Sequence, residues 1–136
     1  MNLVDTSGWI EYFFGEPNAS HFTPPIEKTD DLIVPVICLY EVFKKVNVVA
    51  NEAQALQAVA QMKQARVVDI TEDVALSAAL ISIRHKLPMA DSLIYATARA
   101  HGATLWTQDD HFSSLPGVKY NEARTKASSV RGKPRR

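Results

Sequence analysis

Short apolar segments alternate with longer helical ones along this chain, and this alternation constrains the fold more than any other feature. The predicted strands are brief and almost wholly apolar, as in Leu3-Val4, Leu32-Ile33-Val34 and Val67-Val68. Two further strands are predicted at residues 103–107 and 118–120. Apolar strands that are separated by helices are typical of a parallel sheet with both faces covered. The predicted fold class is therefore α/β.

Local signals place helices between these strands. Ser7 is predicted to cap a first helix that runs through Phe14 and stops before Gly15. Asn51 and Thr71 are predicted to cap two later helices. Further helices are predicted over residues 18–28, 35–48 and 90–101.

The helix that follows Thr71 carries an unusually wide apolar stripe. Its apolar residues are Val74, Leu76, Ala78, Leu80, Ile81, Ile83 and Leu87. Such a stripe covers more than one face of a helix. The sequence therefore predicts that this helix packs on more than one side.

The net charge of zero conceals a division of the 136-residue chain into an acidic body and a basic tail. Residues 1–118 contain 14 acidic and 8 basic residues, whereas residues 119–136 contain 1 acidic and 7 basic residues. We expect a single domain over residues 1–120 and a basic C-terminal tail over residues 121–136. Residues 127–136 contain too little apolar surface to form a packed structure, so this segment is expected to be disordered.

The sequence indicates a cytoplasmic location. Cys38 is the only cysteine, which excludes an intrachain disulfide and suits a small core residue in a reducing compartment. The longest apolar stretch, residues 32–40, is interrupted by Pro35 and is much shorter than a membrane span. No basic region followed by an apolar run marks a signal peptide at the N-terminus.

Four acidic residues occupy positions that suit a functional site. Asp5 directly follows the first strand, and Asp109 follows the predicted strand 103–107 by two residues. Ligands of parallel sheets bind outside the carboxyl ends of the strands, where both would lie. Glu41 lies in an apolar stretch of the helix after the second strand, and Asp91 lies at the start of a later helix. Acids in apolar surroundings need a compensating partner.

Each of these acids also has a simpler structural explanation. Asp5 and Asp91 can cap helices, Asp109 can cap a turn, and Glu41 can pair with the lysines three and four residues further on. Taken together, four carboxylates without a Cys/His cluster favour hard cations such as Mg²⁺ or Mn²⁺. Two such ions about 3.5–4 Å apart can activate water and stabilise the leaving oxygen of a phosphodiester.

The local sequences around these acids resemble those of PIN-domain ribonucleases, specifically the VapC-like toxins of type II toxin–antitoxin systems. The matching motifs are VDTSGWIEY at 4–12, YEV at 40–42, ADSLIYATA at 90–98 and LWTQD at 105–109. The resemblance covers about residues 1–120. It implies a three-layer α/β/α fold around a central parallel sheet.

The resemblance also implies an activity and a set of site residues. The expected activity is that of a Mg²⁺-dependent endoribonuclease toxin that hydrolyses RNA phosphodiesters with metal-activated water, and Mn²⁺ is a possible substitute. The catalytic and metal-binding acids would be Asp5, Glu41, Asp91 and Asp109. Asp5 and Asp91 would be the principal ligands. Ser7 and Thr107 would orient carboxylates or water through hydrogen bonds.

The partners that the resemblance implies are RNA, a cognate antitoxin protein and a second copy of the chain in a homodimer. An antitoxin segment would bind a groove beside the first helices. Four aromatic residues within positions 9–14 cannot all face one way on a helix, so some are expected to be exposed or covered by a partner. The four are Trp9, Tyr12, Phe13 and Phe14.

The sequence departs from the family pattern after the last acid. His111 stands where many members have a second acid or an asparagine, and the additional acid is Asp110. We interpret Asp110 as a helix cap and His111 as a solvated or phosphate-facing side chain, so neither is assigned to the site. Arg84, Lys86 and Arg99 suit a solvated face and phosphate contact equally well.

Other functions explain less of the sequence. A non-catalytic PIN-like module that binds RNA or protein is the main alternative, and His111 is the only residue that hints at it. A structure-specific DNA nuclease is a further one, although the chain shows no added DNA-binding domain. Asp69 would suit the phosphoacceptor of a receiver-like regulator, but that function leaves Glu41 and Asp91 unexplained.

Overall fold

A computed structural model describes residues 1–124, and the predicted disordered segment 127–136 lies outside the described residues. Its centre is a five-stranded sheet in the order β3-β2-β1-β4-β5, in which every neighbouring pair of strands is parallel. The strands are β1 Asn2–Val4, β2 Leu32–Pro35, β3 Arg66–Val68, β4 Thr104–Thr107 and β5 Val118–Tyr120. The predicted α/β/α fold around a central parallel sheet is confirmed.

Six α-helices within residues 1–124 connect and cover these strands. They are α1 Thr6–Phe13, α2 Ala19–Glu27, α3 Val36–Val49, α4 Glu52–Met62, α5 Glu72–His85 and α6 Met89–Ala100. Short 3-10 turns at Thr29–Asp31 and Asp110–Phe112 precede β2 and follow β4. Helix α2 forms despite Pro24 and Pro25 in its interior, where each removes a backbone donor.

The central strands form the core. Leu3 and Val4 of β1, Ile33 and Val34 of β2, and Leu105 of β4 are completely buried. Burying such a side chain stabilises the fold by about 1.5–3 kcal/mol. The apolar residues of β1 and β2 are buried on both faces of the sheet, which explains why these segments are continuously apolar, whereas β4 alternates buried and partly exposed residues.

Gly8 allows α1 to lie unusually close to its neighbours. A Cβ atom at this position would lie 2.6 Å from Val4 Cγ1 and 2.7 Å from the ring of Phe22. Only glycine fits this contact without displacing the side chains of Val4 and Phe22. The close packing fixes the first turn of α1 against the end of β1.

The helix caps agree with the sequence at two of three predicted positions. Asn51 accepts a hydrogen bond from Gln54 N at 2.8 Å, and Thr71 accepts one from Val74 N at 3.2 Å. The predicted cap at Ser7 is wrong. Asp5 has the extended backbone of an N-cap and accepts from Gly8 N, so the helix begins one residue before Ser7.

The prediction that α5 packs on more than one side is also wrong for the described chain. Val74 and Ala78 are buried, but Leu76, Leu80 and Ile83 are 61%, 58% and 77% exposed. Helix α5 packs mainly on α6, and its wide stripe therefore leaves an apolar face in solvent.

Cys38 is completely buried, and burial raises the pKa of its thiol, as expected for an unreactive core residue. Within residues 1–124, no helix has both the length and the apolar character needed to cross a membrane.

Candidate metal centre

The sheet topology brings the ends of β1 and β4 together. These strands are parallel neighbours with Val4 opposite Trp106, and Asp5 N donates to Trp106 O at 3.2 Å. After β1 the chain adds β2 and β3 on one side of β1, and it then crosses to add β4 and β5 on the other side. Ligands of parallel sheets bind at such a switch point. Asp5 and Asp109 consequently lie at the same edge of the sheet.

Asp5 is held by three hydrogen bonds in a buried position. Its Oδ1 accepts from Ser7 Oγ at 2.7 Å and Gly8 N at 3.0 Å, and its Oδ2 accepts from Thr107 Oγ1 at 2.6 Å. Only 3% of Asp5 is exposed. Burial raises its pKa to about 6, because the hydrogen bonds offset only part of the lost hydration. The negative charge of Asp109 raises it further.

Ser7 and Thr107, the two predicted supporting residues, both contact Asp5 and the loop after β4. Thr107 Oγ1 accepts a hydrogen bond from Asp109 N at 2.9 Å, so one hydroxyl joins two acids of the site. Ser7 Oγ accepts from Gln108 N at 3.4 Å. These contacts fix the direction of the Asp5 carboxylate relative to the loop that carries Asp109.

Glu41 reaches the same region from α3. Its Oε1 accepts a hydrogen bond from Thr6 Oγ1 at 2.6 Å. Thr6 was not among the predicted site residues, although its position directly after Asp5 is a signal for it. Among the ion pairs of residues 1–124, none joins Glu41 to Lys44 or Lys45, so the alternative pairing is absent.

Asp91, Asp109 and His111 form a compact group. His111 Nδ1 lies 2.7 Å from Asp91 Oδ2 and 3.3 Å from Asp109 Oδ1. One ligand atom from each residue lies within 4.8 Å of the others. Partial burial raises the pKa of Asp91, and the contact with Asp91 raises the pKa of the half-exposed His111. Asp91 lies in the first turn of α6 after Pro88, the cap residue, and does not cap the helix itself.

Two interpretations of the loop after β4 need correction. The cap of the 3-10 turn is Asp109, whose Oδ1 accepts from His111 N at 3.0 Å, and not Asp110. His111 is 51% exposed, as a solvated side chain would be, but it also contacts two of the acids. The sequence spacing is a signal for the contact between His111 and Asp109, because these residues are two positions apart in one turn.

Most of the predicted site residues line a cavity of about 610 Å³. All four predicted acids line it: Asp5, Glu41, Asp91 and Asp109. The basic residues that line it are Lys44 and Lys45 on α3. Arg84, Lys86 and Arg99 do not line it, and the Arg99 guanidinium donates to Pro116 O instead. The cationic rim therefore differs from the one the sequence suggested.

A partly buried network of amide, carboxylate and guanidinium groups supports the loop that carries Asp109. Glu11 accepts hydrogen bonds from Asn18 N at 2.7 Å and Gln108 Nε2 at 2.8 Å. Asn18 Nδ2 donates to Gln108 Oε1 at 3.0 Å, and Arg124 Nε donates to Asn18 Oδ1 at 3.1 Å. No local sequence pattern marks this network, because its members lie far apart along the chain. The network also ties the start of the predicted tail to the α1–α2 connection.

The donor chemistry of the site fits a hard divalent cation. The charge of Asp109 disfavours ionisation of both Asp5 and Asp91, and the charge of Glu41 disfavours that of Asp91. A bound cation would relieve this mutual repulsion. Carboxylate oxygens suit Mg²⁺ and Mn²⁺, and the nearby imidazole nitrogen favours Mn²⁺ among these two.

A parallel α/β/α domain with carboxylates at the carboxyl ends of its strands defines a class of fold that many protein families share. The sequence is more specific, since the family model of the PIN domain matches residues 3–118. The chain belongs to the PIN-domain family. Among curated protein sequences, none gives a significant match.

Solved structures share this fold over nearly the whole described chain. A toxin–antitoxin complex from Klebsiella pneumoniae is 24% identical, with a TM-score of 0.76, and the match covers 90% of this chain and 100% of that one. VapC20 of Mycobacterium tuberculosis, described as a sarcin–ricin loop cleaving toxin, is 21% identical with a TM-score of 0.74, covering 91% and 99%. FitAB bound to a DNA fragment is 22% identical with a TM-score of 0.66, covering 88% and 94%.

Proposed function

We propose that this protein is a divalent-metal-dependent endoribonuclease that acts as the toxin of a toxin–antitoxin pair. The observation that carries the proposal is the convergence of Asp5, Glu41, Asp91 and Asp109 on one cavity at the switch point of the sheet. The four acids lie far apart in sequence and on different elements, so only the tertiary fold brings them to the same cavity.

The residues that would hold Mg²⁺ or Mn²⁺ are the four acids. Asp5 and Asp91 are the proposed principal ligands, and Glu41 and Asp109 complete the set. When bound, the cation supplies Lewis acidity towards the phosphodiester and lowers the pKa of water. His111 is positioned to add a nitrogen donor, because its Nδ1 already contacts both Asp91 and Asp109.

The hydroxyl side chains around the acids keep the site arranged before substrate binds. Ser7 and Thr107 orient Asp5, and Thr6 orients Glu41. Fixed donors reduce the reorganisation that ligand binding and catalysis require. The buried carboxylate of Asp5 therefore remains directed at the cavity even though burial raises its pKa.

The fold relatives support the proposed substrate and role. VapC20 is described as a toxin that cleaves the sarcin–ricin loop, which is RNA, and the Klebsiella pneumoniae neighbour is a toxin–antitoxin complex. We propose RNA as the substrate of this chain and place the protein in the cytoplasm, where RNA and an antitoxin would meet it.

We propose two protein partners. An antitoxin segment would dock beside α1, in a groove that Phe13 and Phe14 line together with Val46 of α3 and glutamines of α4. We also propose a homodimer, because Leu76, Leu80 and Ile83 form an apolar face that a monomer leaves in water. Sedimentation of the isolated chain tests the dimer, and a monomer at all concentrations would exclude it.

The central test compares Asp5→Asn with the wild type and with Asp69→Asn. Asp69 is an exposed acid that does not line the cavity, so its variant controls for the lost charge. We expect wild type and Asp69→Asn to cleave RNA with Mg²⁺ or Mn²⁺ and to inhibit growth, and Asp5→Asn to do neither while retaining its circular dichroism spectrum. Mapping cleavage ends in total RNA after induced expression identifies the target.

Other outcomes would reject the proposal in different ways. Equal metal-dependent cleavage by Asp5→Asn would remove Asp5 from the site. Preference for DNA in parallel assays would indicate a DNA nuclease. The absence of any calorimetric signal with Mg²⁺ or Mn²⁺ up to millimolar concentrations would indicate a non-catalytic binding module.

A further inference from the structure

Tyr40 is an aromatic side chain that the fold leaves beside the acidic cavity. It is 60% exposed, and it lines the cavity together with Lys44 and Lys45. Within residues 1–124, its hydroxyl group has no hydrogen-bond partner, and its ring contacts no other aromatic ring. By contrast, the hydroxyl of Tyr95 donates to Pro116 O at 2.7 Å. Packing therefore does not explain an aromatic residue at position 40.

The geometry of α3 separates Tyr40 from the core. The buried face of this helix consists of Cys38, Val42 and Val46, each one turn apart. Tyr40 and Lys44 are also one turn apart, on a different face, and Lys44 Nζ lies 5.8 Å from the centre of the Tyr40 ring. The same helix carries Glu41, so this face borders the proposed metal ligands.

The two lysines are available to bind an anion. Both are exposed, and neither takes part in an ion pair with any residue of the described chain. All the other charged residues that line the cavity are acidic. A polyanion can approach such a cavity only if cations at its rim offset the repulsion, and lysines bind backbone phosphates without regard to sequence.

We propose that Tyr40, Lys44 and Lys45 form a nucleotide subsite next to the metal centre, in which an unpaired base stacks on Tyr40 and its phosphate contacts the lysines. This inference rests on the proposed function, since it assigns a place to the RNA strand at the same site. An exposed ring beside cations is the usual arrangement for binding single-stranded nucleic acid. The subsite selects unpaired over base-paired segments, because a paired base cannot reach the ring.

A peptide is the other class of ligand that this surface could bind. Tyr40 and Lys44 also border an apolar groove of about 640 Å³, whose floor includes Leu39, Phe43 and Leu56. A nucleotide is favoured at Tyr40 because both lysines line the acidic cavity, whereas only Lys44 borders the groove. A bound phosphate can contact both lysines only from the side of the cavity.

The test measures RNA binding without cleavage. Short single-stranded oligoribonucleotides with a fluorescent label are titrated with the full chain in EDTA, and a matched set carries one abasic position. The variants are Tyr40→Ala, Tyr40→Phe and, as an apolar control at an exposed position that lines no cavity, Val49→Ala. We expect Tyr40→Ala to raise Kd about tenfold, as the loss of one stacked base would. Tyr40→Phe and Val49→Ala should bind like the wild type.

The abasic strand separates stacking from a general change in structure. The abasic position is placed at each nucleotide of the RNA in turn. One of these strands should have the same Kd for wild type and Tyr40→Ala, because the base that would stack on Tyr40 is already missing from it. The lysines are tested by salt dependence. Lys44→Ala and Lys45→Ala should each reduce the slope of log K against log salt by about 0.7, the value for one phosphate contact on a single strand. Lys63→Ala, at an exposed lysine outside the cavity, should not.

The outcomes distinguish this inference from the proposed function. Unchanged binding by Tyr40→Ala on every strand overturns the subsite, even if the wild type cleaves RNA. Loss of binding to an antitoxin peptide with unchanged RNA affinity assigns the surface to a protein partner and also overturns it. If the wild type binds RNA through Tyr40 but never cleaves it, the subsite holds and the nuclease function fails.

Discussion

Replacing Asp5 by Asn should stabilise the metal-free protein at neutral pH while it removes activity. The pKa of the Asp5 carboxyl is 3.8 in an unfolded chain and about 6 in the folded protein, so the folded state binds the proton more tightly. The stabilisation from a protonated Asp5 is complete below pH 3.8 and is lost as the pH rises through about 6. At neutral pH, the ionised form costs about 3 kcal/mol of folding free energy.

Asparagine removes the charge but changes one hydrogen bond. Its carbonyl oxygen can still accept from Ser7 and Gly8, whereas its amide group would face Thr107 Oγ1, which now donates to Asp5. The mismatch costs about 1 kcal/mol. The net gain is therefore about 2 kcal/mol at neutral pH. For a domain of this size it should raise the Tm by about 8 °C.

The assay is urea unfolding of wild type and Asp5→Asn in EDTA over a series of pH values. The difference in free energy of unfolding should be largest at neutral pH and should shrink as the pH falls below 6 towards 3.8. Asp69→Asn serves as the control for an exposed acid. Mn²⁺ at a hundred times its Kd should stabilise the wild type by about 2.7 kcal/mol and the variant much less. A difference that does not depend on pH would refute the assignment of the raised pKa to Asp5.

Four further changes test other parts of the structure. Gly8→Ala places a Cβ atom 2.7 Å from the ring of Phe22, so thermal unfolding should show a loss of about 1–3 kcal/mol, and an unchanged Tm would contradict the tight packing. His111→Asn should weaken Mn²⁺ binding in calorimetry and remove the nitrogen coupling from the Mn²⁺ EPR spectrum, whereas a wild-type spectrum without that coupling would exclude His111 as a ligand. Asn18→Ala removes the amide that joins Gln108 to the α1–α2 connection and should cost about 1–3 kcal/mol in urea unfolding, and a smaller loss would mean that water replaces it. Deleting residues 127–136 should raise KM for RNA at low salt, whereas unchanged kinetics across salt concentrations would indicate an extension without function.

Much of the fold follows from local properties of the sequence. Strands that are apolar along their whole length can be satisfied only inside a covered sheet, and side chains such as Asn51 and Thr71 mark helix ends through their own hydrogen bonds. Asp5 and Asp109 could be placed at the sheet edge because each follows a strand within two residues. These inferences depend on near neighbours in sequence, which is why they could be made without coordinates.

The remaining features depend on how distant elements pack. The sequence did not show that Thr6 would bind Glu41, since that contact joins residues 35 positions apart and requires α1 to lie against α3. It likewise did not show that His111 would reach Asp91 on α6.

The sequence alone determined the alternation of strands and helices, the acidic quartet and the charge division between body and tail. The tertiary structure decided which cations border the cavity, because the direction of a side chain depends on the rotation and packing of its helix. It therefore assigned the rim to Lys44 and Lys45 and left one face of α5 in solvent. A sequence pattern specifies which residues avoid water, but only the packed elements determine which residues meet.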